Sequence, residues 1–163
     1  MYGRILVPLE NTRWDRLILD HVRALAKVHG SELLLIHVAD GFAARNVAQL
    51  DLRESEEMRK DRTYLDEQAG ALKADGFRAD AILACGDPGT EIASAADREK
   101  CDLIAMSTHG HRFLGDLIHG SVANDVRHRS MIPVLLVRGN PDAVKDAKDA
   151  VKDAKDAVKD AKP

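Results

Sequence analysis

Aromatic residues are scarce in this chain of 163 residues, at 4% against 45% hydrophobic residues overall. Any core is therefore aliphatic, built from Leu, Ile, Val and Ala. With only two cysteines, Cys85 and Cys101, a disulfide framework is excluded, and a reducing cytoplasm fits the pair best. No apolar run approaches the length of a membrane span, and the opening Met-Tyr-Gly-Arg-Ile-Leu-Val enters a strand pattern without a signal-peptide core. A formal charge of −3 offers no basic patch for nucleic acid or an anionic membrane, so neither is an expected partner. Several catalytic signatures are also missing: a Walker lysine motif, a Ser-His-Asp order and a paired-carboxylate arrangement. The cysteines form no C-x-x-C pair, which removes thiol redox catalysis.

What is present is an alternation of strand and helix signals over the first ~140 residues. Strands are expected at 4–9, 32–38, 77–84, 102–106 and 133–137. A helix is expected from Asn11 or Thr12, with Ile18, Val22 and Leu25 inward and Gly30 as its stop. After an unassigned loop at 39–49, a long polar helix turns Met58, Leu65, Ala69 and Leu72 inward and ends before Gly76. Asp87-Pro88 marks a helix start, with Asp as N-cap and Pro at the first helical position, and Ile92, Ala93 and Ala96 form its inner face. A last helix is expected over 121–129. Strands joined by helices of this length give an open parallel sheet with helices on both faces. Ligands of such sheets sit beyond the strand carboxyl ends, where the strand order reverses.

The segment from Ser107 to Ser121 carries the chemistry. An apolar run, Leu103-Ile-Ala-Met106, opens into a glycine-containing loop, and Gly120-Ser121 stands at a helix start. Backbone N–H groups and a helix dipole then converge on one spot, which suits an anion such as phosphate. Plain turn and cap chemistry is the rival explanation for either glycine alone. His109, His111 and nearby His119 lack a further ligand at metal-site spacing. They read as loop histidines that, with Arg112, balance phosphate charge.

Taken in order, Pro8-Leu-Glu10, His37-Val38, Gly86-Asp-Pro88, Asp102-Leu-Ile104, and Gly110 with nine residues to Gly120-Ser121 resemble the universal stress proteins. The resemblance covers residues 1 to 138. It implies a five-stranded Rossmann-like sheet of the adenine-nucleotide α-hydrolase-like type and a nucleotide site. Gly110, Gly120 and Ser121 would hold phosphates, Val38 would meet adenine through its backbone, and Glu10 would hold base or ribose. Pro8, Leu9, Met106, Ser107, His109, His111, Arg112 and Val122 complete the expected nucleotide-binding set. The expected ligand is ATP, with Mg²⁺ as the candidate accompanying ion. Two positions depart from the family pattern. Ser107 replaces the first signature glycine, and its Cβ crowds the turn if φ there is positive. Glu10 replaces aspartate and is one methylene longer; it reads equally as a solvated acid or a helix-dipole partner.

The resemblance also implies a homodimer, through antiparallel pairing of the last strand at 133–137. The expected function is an adenine-nucleotide-binding stress-response regulator acting on an unidentified protein partner. The alternatives are an interaction scaffold without nucleotide and a slow nucleotide hydrolase using His109 or His111, for which Glu10 and Asp40 are the nearby acids. Residues 140–163 form a separate segment after the domain at 1–139. Ala-Val-Lys-Asp-Ala-Lys-Asp starts at Ala143 and recurs from Ala150, and Ala157 opens a third copy closed by Pro163. Six Lys and six Asp make the tail neutral. Its a and d positions hold only Val and Ala, so a solvated, partly helical tail is expected in preference to a dimerisation helix.

Overall fold

Parallel strands and their crossover helices organise the chain. The computed structural model describes residues 1–39, 56–108 and 122–138. In chain order they form β1 (Arg4–Pro8), α1 (Asp15–His29), β2 (Glu32–Ala39), α2 (Glu56–Ala74), β3 (Ala79–Cys85), α3 (Pro88–Arg98), β4 (Leu103–Thr108), α4 (Val122–Arg129) and β5 (Val134–Arg138). All strand pairs are parallel, in the order β3-β2-β1-β4-β5. The chain builds outward from β1 to β3, then returns to β1's other side for β4 and β5. The order therefore reverses between β1 and β4.

Side chains alternate across the pleat, so each strand serves two cores. Ile5, Val7, Leu33, Leu35, Leu103 and Ala105 face α1 and α2, meeting Ile18, Val22, Leu65 and Leu72. Leu6, Leu34, Ile36, Ile104 and Met106 face α3 and α4, meeting Ile92, Ala96, Ala123 and Val126. Covering both faces is why β2 reads as a nearly unbroken apolar run. Each fully buried Leu or Ile contributes about 1.5–3 kcal/mol relative to exposure. Gly30 ends α1 in the left-handed region at φ 67° and donates its N–H to Ala26 at 2.8 Å.

The helix start expected at Asn11 or Thr12 falls instead at Asp15, and the last helix is described from Val122, the expected start at Ser121 lying outside the described residues. The third and fifth strands are displaced by one or two residues. β4 is longer than expected, because Ser107 and Thr108 continue it in register with Val137 and Arg138 of β5. At the amino end of the sheet, β1 and β4 are stapled. The Asp102 carboxylate accepts N–H bonds from Gly3 at 2.7 Å and Arg4 at 3.2 Å. The Arg4 guanidinium donates to the Glu99 carbonyl at 2.9 Å and pairs with Glu32 at 3.4 Å.

Candidate functional site

At the other end of the sheet the same two strands part. The β1–β4 register holds at Ile5↔Leu103 and Leu6↔Ile104, whereas β1 stays paired with β2 as far as Pro8↔Ile36. The cause lies in the sequence. Alternate residues of a parallel strand aim their backbone groups at opposite neighbours. Leu9 donates to Ile36 of β2 at 2.8 Å, and the Arg4 carbonyl accepts from Asp102 on the β4 side at 3.0 Å. Even-numbered residues of β1 thus face β4, and the next donor in that series is Pro8, which has no N–H. The parting falls where the strand order reverses, the expected place for a ligand in such a sheet.

Several expected site residues stand at the carboxyl ends of these strands or at a helix start. Pro8 and Glu10 end and follow β1, Val38 lies near the end of β2, and Ser107 lies near the end of β4. Val122 opens α4. Leu9 and Met106 have a different surrounding. Their side chains are buried in the two cores. The N–H of Leu9 goes to Ile36, and its carbonyl meets the His37 Nδ1 at 2.8 Å. Ser107 lies in strand backbone; the described non-glycine residues with positive φ are Asn11 and Lys100. Its Cβ therefore meets no positive-φ penalty at this position. His109, Gly110, His111, Arg112, Gly120 and Ser121 lie outside the described residues, as do Asp40 and His119.

A polar network under the loop after β1 escaped the sequence reading. Asp15, 1% exposed, accepts from the Glu10 N–H and the Thr12 N–H at 3.1 Å each, and from the Tyr64 hydroxyl at 2.8 Å. Burial first, then the hydrogen bond to Asp15 and its charge, pushes the Tyr64 hydroxyl above the usual tyrosine range. His37 links the Leu9 carbonyl to Asp61, whose Oδ2 lies 3.3 Å from Nε2. Asp61 also accepts from the Asn11 side chain at 3.4 Å. The available signal was an acid at position 15 in phase with Ile18, Leu19, Val22 and Ala26 on the inner face of α1.

On the far side of β2, the Gly86 N–H donates to the Ala39 carbonyl at 3.1 Å. Asp87 caps α3, as expected from Asp87-Pro88. Its Oδ1 accepts from the Thr90 N–H at 3.0 Å and the Thr90 hydroxyl at 2.6 Å. Gly89 then lets α3 approach α4, for a Cβ there would stand 2.6 Å from the Asp125 Oδ2. The starts of both helices are thus packed together on the carboxyl side of the sheet. Among the described residues, no group of three or more His, Cys, Asp or Glu is placed to hold a metal.

A parallel sheet covered by helices on both faces, its strand order reversing between β1 and β4, defines a Rossmann-like class. The sequence model of the Universal stress protein family matches residues 1–138, and the chain belongs to that family. It is 30% identical over 155 residues to the universal stress protein MJ0577 of Methanocaldococcus jannaschii, covering 85% of this chain and 96% of that one. It is 33% identical over 143 residues to a Thermus aquaticus universal stress protein, covering 85% and 100%. The solved structure of MJ0577 superposes with a TM-score of 0.68 at 28% identity, covering 86% of this chain and 99% of that one. A universal stress protein solved in complex with cAMP shares the fold, with a TM-score of 0.67 at 21% identity over 83% of this chain and 97% of that one. Among the described residues, no helix is long and apolar enough to cross a membrane.

Proposed function

We propose that the chain binds an adenine nucleotide, ATP, in the crevice between β1 and β4, and that occupancy regulates its contact with a protein partner. The observation that carries this reading is the parting of β1 and β4 at the strand-order reversal, with Glu10, Val38 and Ser107 on its rim. Universal stress proteins of this fold have been solved with cAMP and, from Archaeoglobus fulgidus, with dAMP. In this reading Val38 offers backbone groups to adenine and Glu10 holds base or ribose. Gly110, Gly120 and Ser121 cradle the phosphates, with His109, His111 and Arg112 balancing charge. Mg²⁺ would accompany the triphosphate and neutralise part of its charge.

A ligand that binds only the folded state raises its stability, by about 2.7 kcal/mol at a concentration 100 times Kd. Thermal unfolding with millimolar Mg-ATP, AMP and cyclic AMP tests the reading. A dose-dependent rise in Tm is expected with ATP. The absence of a shift with all three nucleotides refutes it and leaves the ligand-free scaffold.

The same reading takes the protein to be a homodimer. β5 pairs with β4 on one side and ends the strand order, and its Leu136 is 41% exposed. A sheet edge of this kind is a template for a second strand, and a twin copy of β5 running antiparallel would cover it. Light scattering at twice the chain mass supports this; the mass of a single chain refutes it. A reducing cytoplasm suits the two free thiols, Cys85 and Cys101. The heptads at 140–163 are taken as a separate solvated tail.

A further inference from the structure

We propose that Asp15 and Tyr64 are positioning residues for the nucleotide crevice, acting through Glu10; the inference rests on the nucleotide reading above. Asp15 is buried, yet two of its three donors come from an exposed loop. Glu10 and Thr12 are exposed residues, yet their N–H groups turn inward to this buried carboxylate. Taking a carboxylate out of water costs several kcal/mol before compensation. Three hydrogen bonds from two separate elements offset that cost, and together they hold the loop in one shape.

The shape is specific. Between the two clamped amides, Asn11 stands at φ 56°, in the left-handed region that asparagine enters more readily than most L-residues. One carboxylate grips the N–H before it and the N–H after it, so the left-handed residue is bracketed. The Tyr64 hydroxyl supplies the third hydrogen bond from α2, across 49 residues of sequence. It fixes the carboxylate's orientation, and with it the plane in which both amides are held. His37 and Asp61 support the same loop from the other side, through the Leu9 carbonyl and the Asn11 amide. Glu10 therefore leaves β1 with its N–H held by Asp15 and the preceding Leu9 carbonyl held by His37.

The test is a mutant cycle on the full chain, read as Mg-ATP affinity by calorimetry. Tyr64→Phe keeps the ring and removes the donor. In the wild-type background it is expected to weaken binding about 10-fold, the loss typical of one hydrogen bond to a charged group. In a Glu10→Ala background the same change is expected to cost nothing, because the residue it positions has been removed. An equal loss in both backgrounds, or no loss in either, overturns the inference; a merely structural tyrosine gives the first result. Amide hydrogen exchange at Glu10 and Thr12 provides a readout independent of nucleotide. Exchange is expected to accelerate in Tyr64→Phe, and wild-type rates there overturn the positioning role. If wild-type protein binds no adenine nucleotide, the nucleotide reading fails and the inference fails with it as a statement about binding, while the exchange rates still decide whether the clamp exists.

Discussion

Replacing Gly89 with alanine sets two opposing effects against each other at the contact between α3 and α4. Alanine is the better helix former, by up to about 1 kcal/mol in a helix interior and by less in the first turn, where Gly89 lies. Against this, the new Cβ would stand 2.6 Å from the Asp125 Oδ2, 2.8 Å from its Cβ and 3.0 Å from its Cγ. The carboxylate can swing aside, but the Asp125 Cβ is fixed to the backbone of α4, so the helices must separate. Overpacking of this kind costs about 1–3 kcal/mol, and the net expectation is a loss of roughly 1–2 kcal/mol, or a Tm lower by roughly 2–8 °C for a chain of this size. The exposed Asp125–Arg129 pair at 3.5 Å adds little to either side. Urea unfolding of wild type, Gly89→Ala, Asp125→Gly and the double variant isolates the contact. With Asp125→Gly the obstacle disappears, and Gly89→Ala becomes neutral or stabilising, a coupling of about 1–2 kcal/mol. An alanine variant as stable as wild type, or strictly additive effects in the double variant, refutes the argument. If the proposed function holds, a shifted α4 would also weaken Mg-ATP binding, because Val122 at its start belongs to the proposed nucleotide-binding set.

Burial pushes the Cys101 thiol up to about 11, against a partial lowering by Arg4 and with Glu99, Asp102 and Glu32 adding to the rise. The folded state therefore holds the proton more tightly than the unfolded state. The associated stability is fully present below the ordinary thiol value of 9.0 and is lost as pH rises towards 11. The gap corresponds to roughly 3 kcal/mol; denaturant midpoints should fall more steeply over this range in wild type than in Cys101→Ala, and equal slopes refute the assignment. Asp87→Ala removes the acceptor for two Thr90 hydrogen bonds and should lower stability by about 0.5–2 kcal/mol. An unchanged urea midpoint shows that the cap contributes nothing.

The sheet and its coverings were legible because periodicity reports burial. Ile18 and Val22, the four inner residues of α2, and the inner face of α3 are all buried as their spacing predicted. Local signals misled where side chains bond to atoms outside their own element. Asn11 and Thr12 look like helix caps, but Asp15 takes the loop N–H groups to itself and α1 starts there. Ser107 and Thr108 look like loop residues; they are strand residues at the sheet's open rim, where partial exposure favours polar side chains. The Asp15–Tyr64 and His37–Asp61 contacts join elements distant in sequence, so no spacing rule reveals either pair. Pro8 was readable as a residue and unreadable as a cause. Its missing donor acquires meaning only once β4 is known to lie beside β1.

The strand order also fixes when the crevice can come into existence during folding. β1, β2 and β3 are sequential neighbours, so the first half of the chain can assemble its part of the sheet by local pairing. The second wall arrives with β4, and its register joins Ile5 to Leu103 across roughly 100 residues, a loop closure that slows folding. A nucleotide bound at that junction engages only chains in which both halves have docked. Under the proposed function, occupancy would report completed assembly as well as nucleotide concentration, and a chain arrested after β3 would offer no such signal.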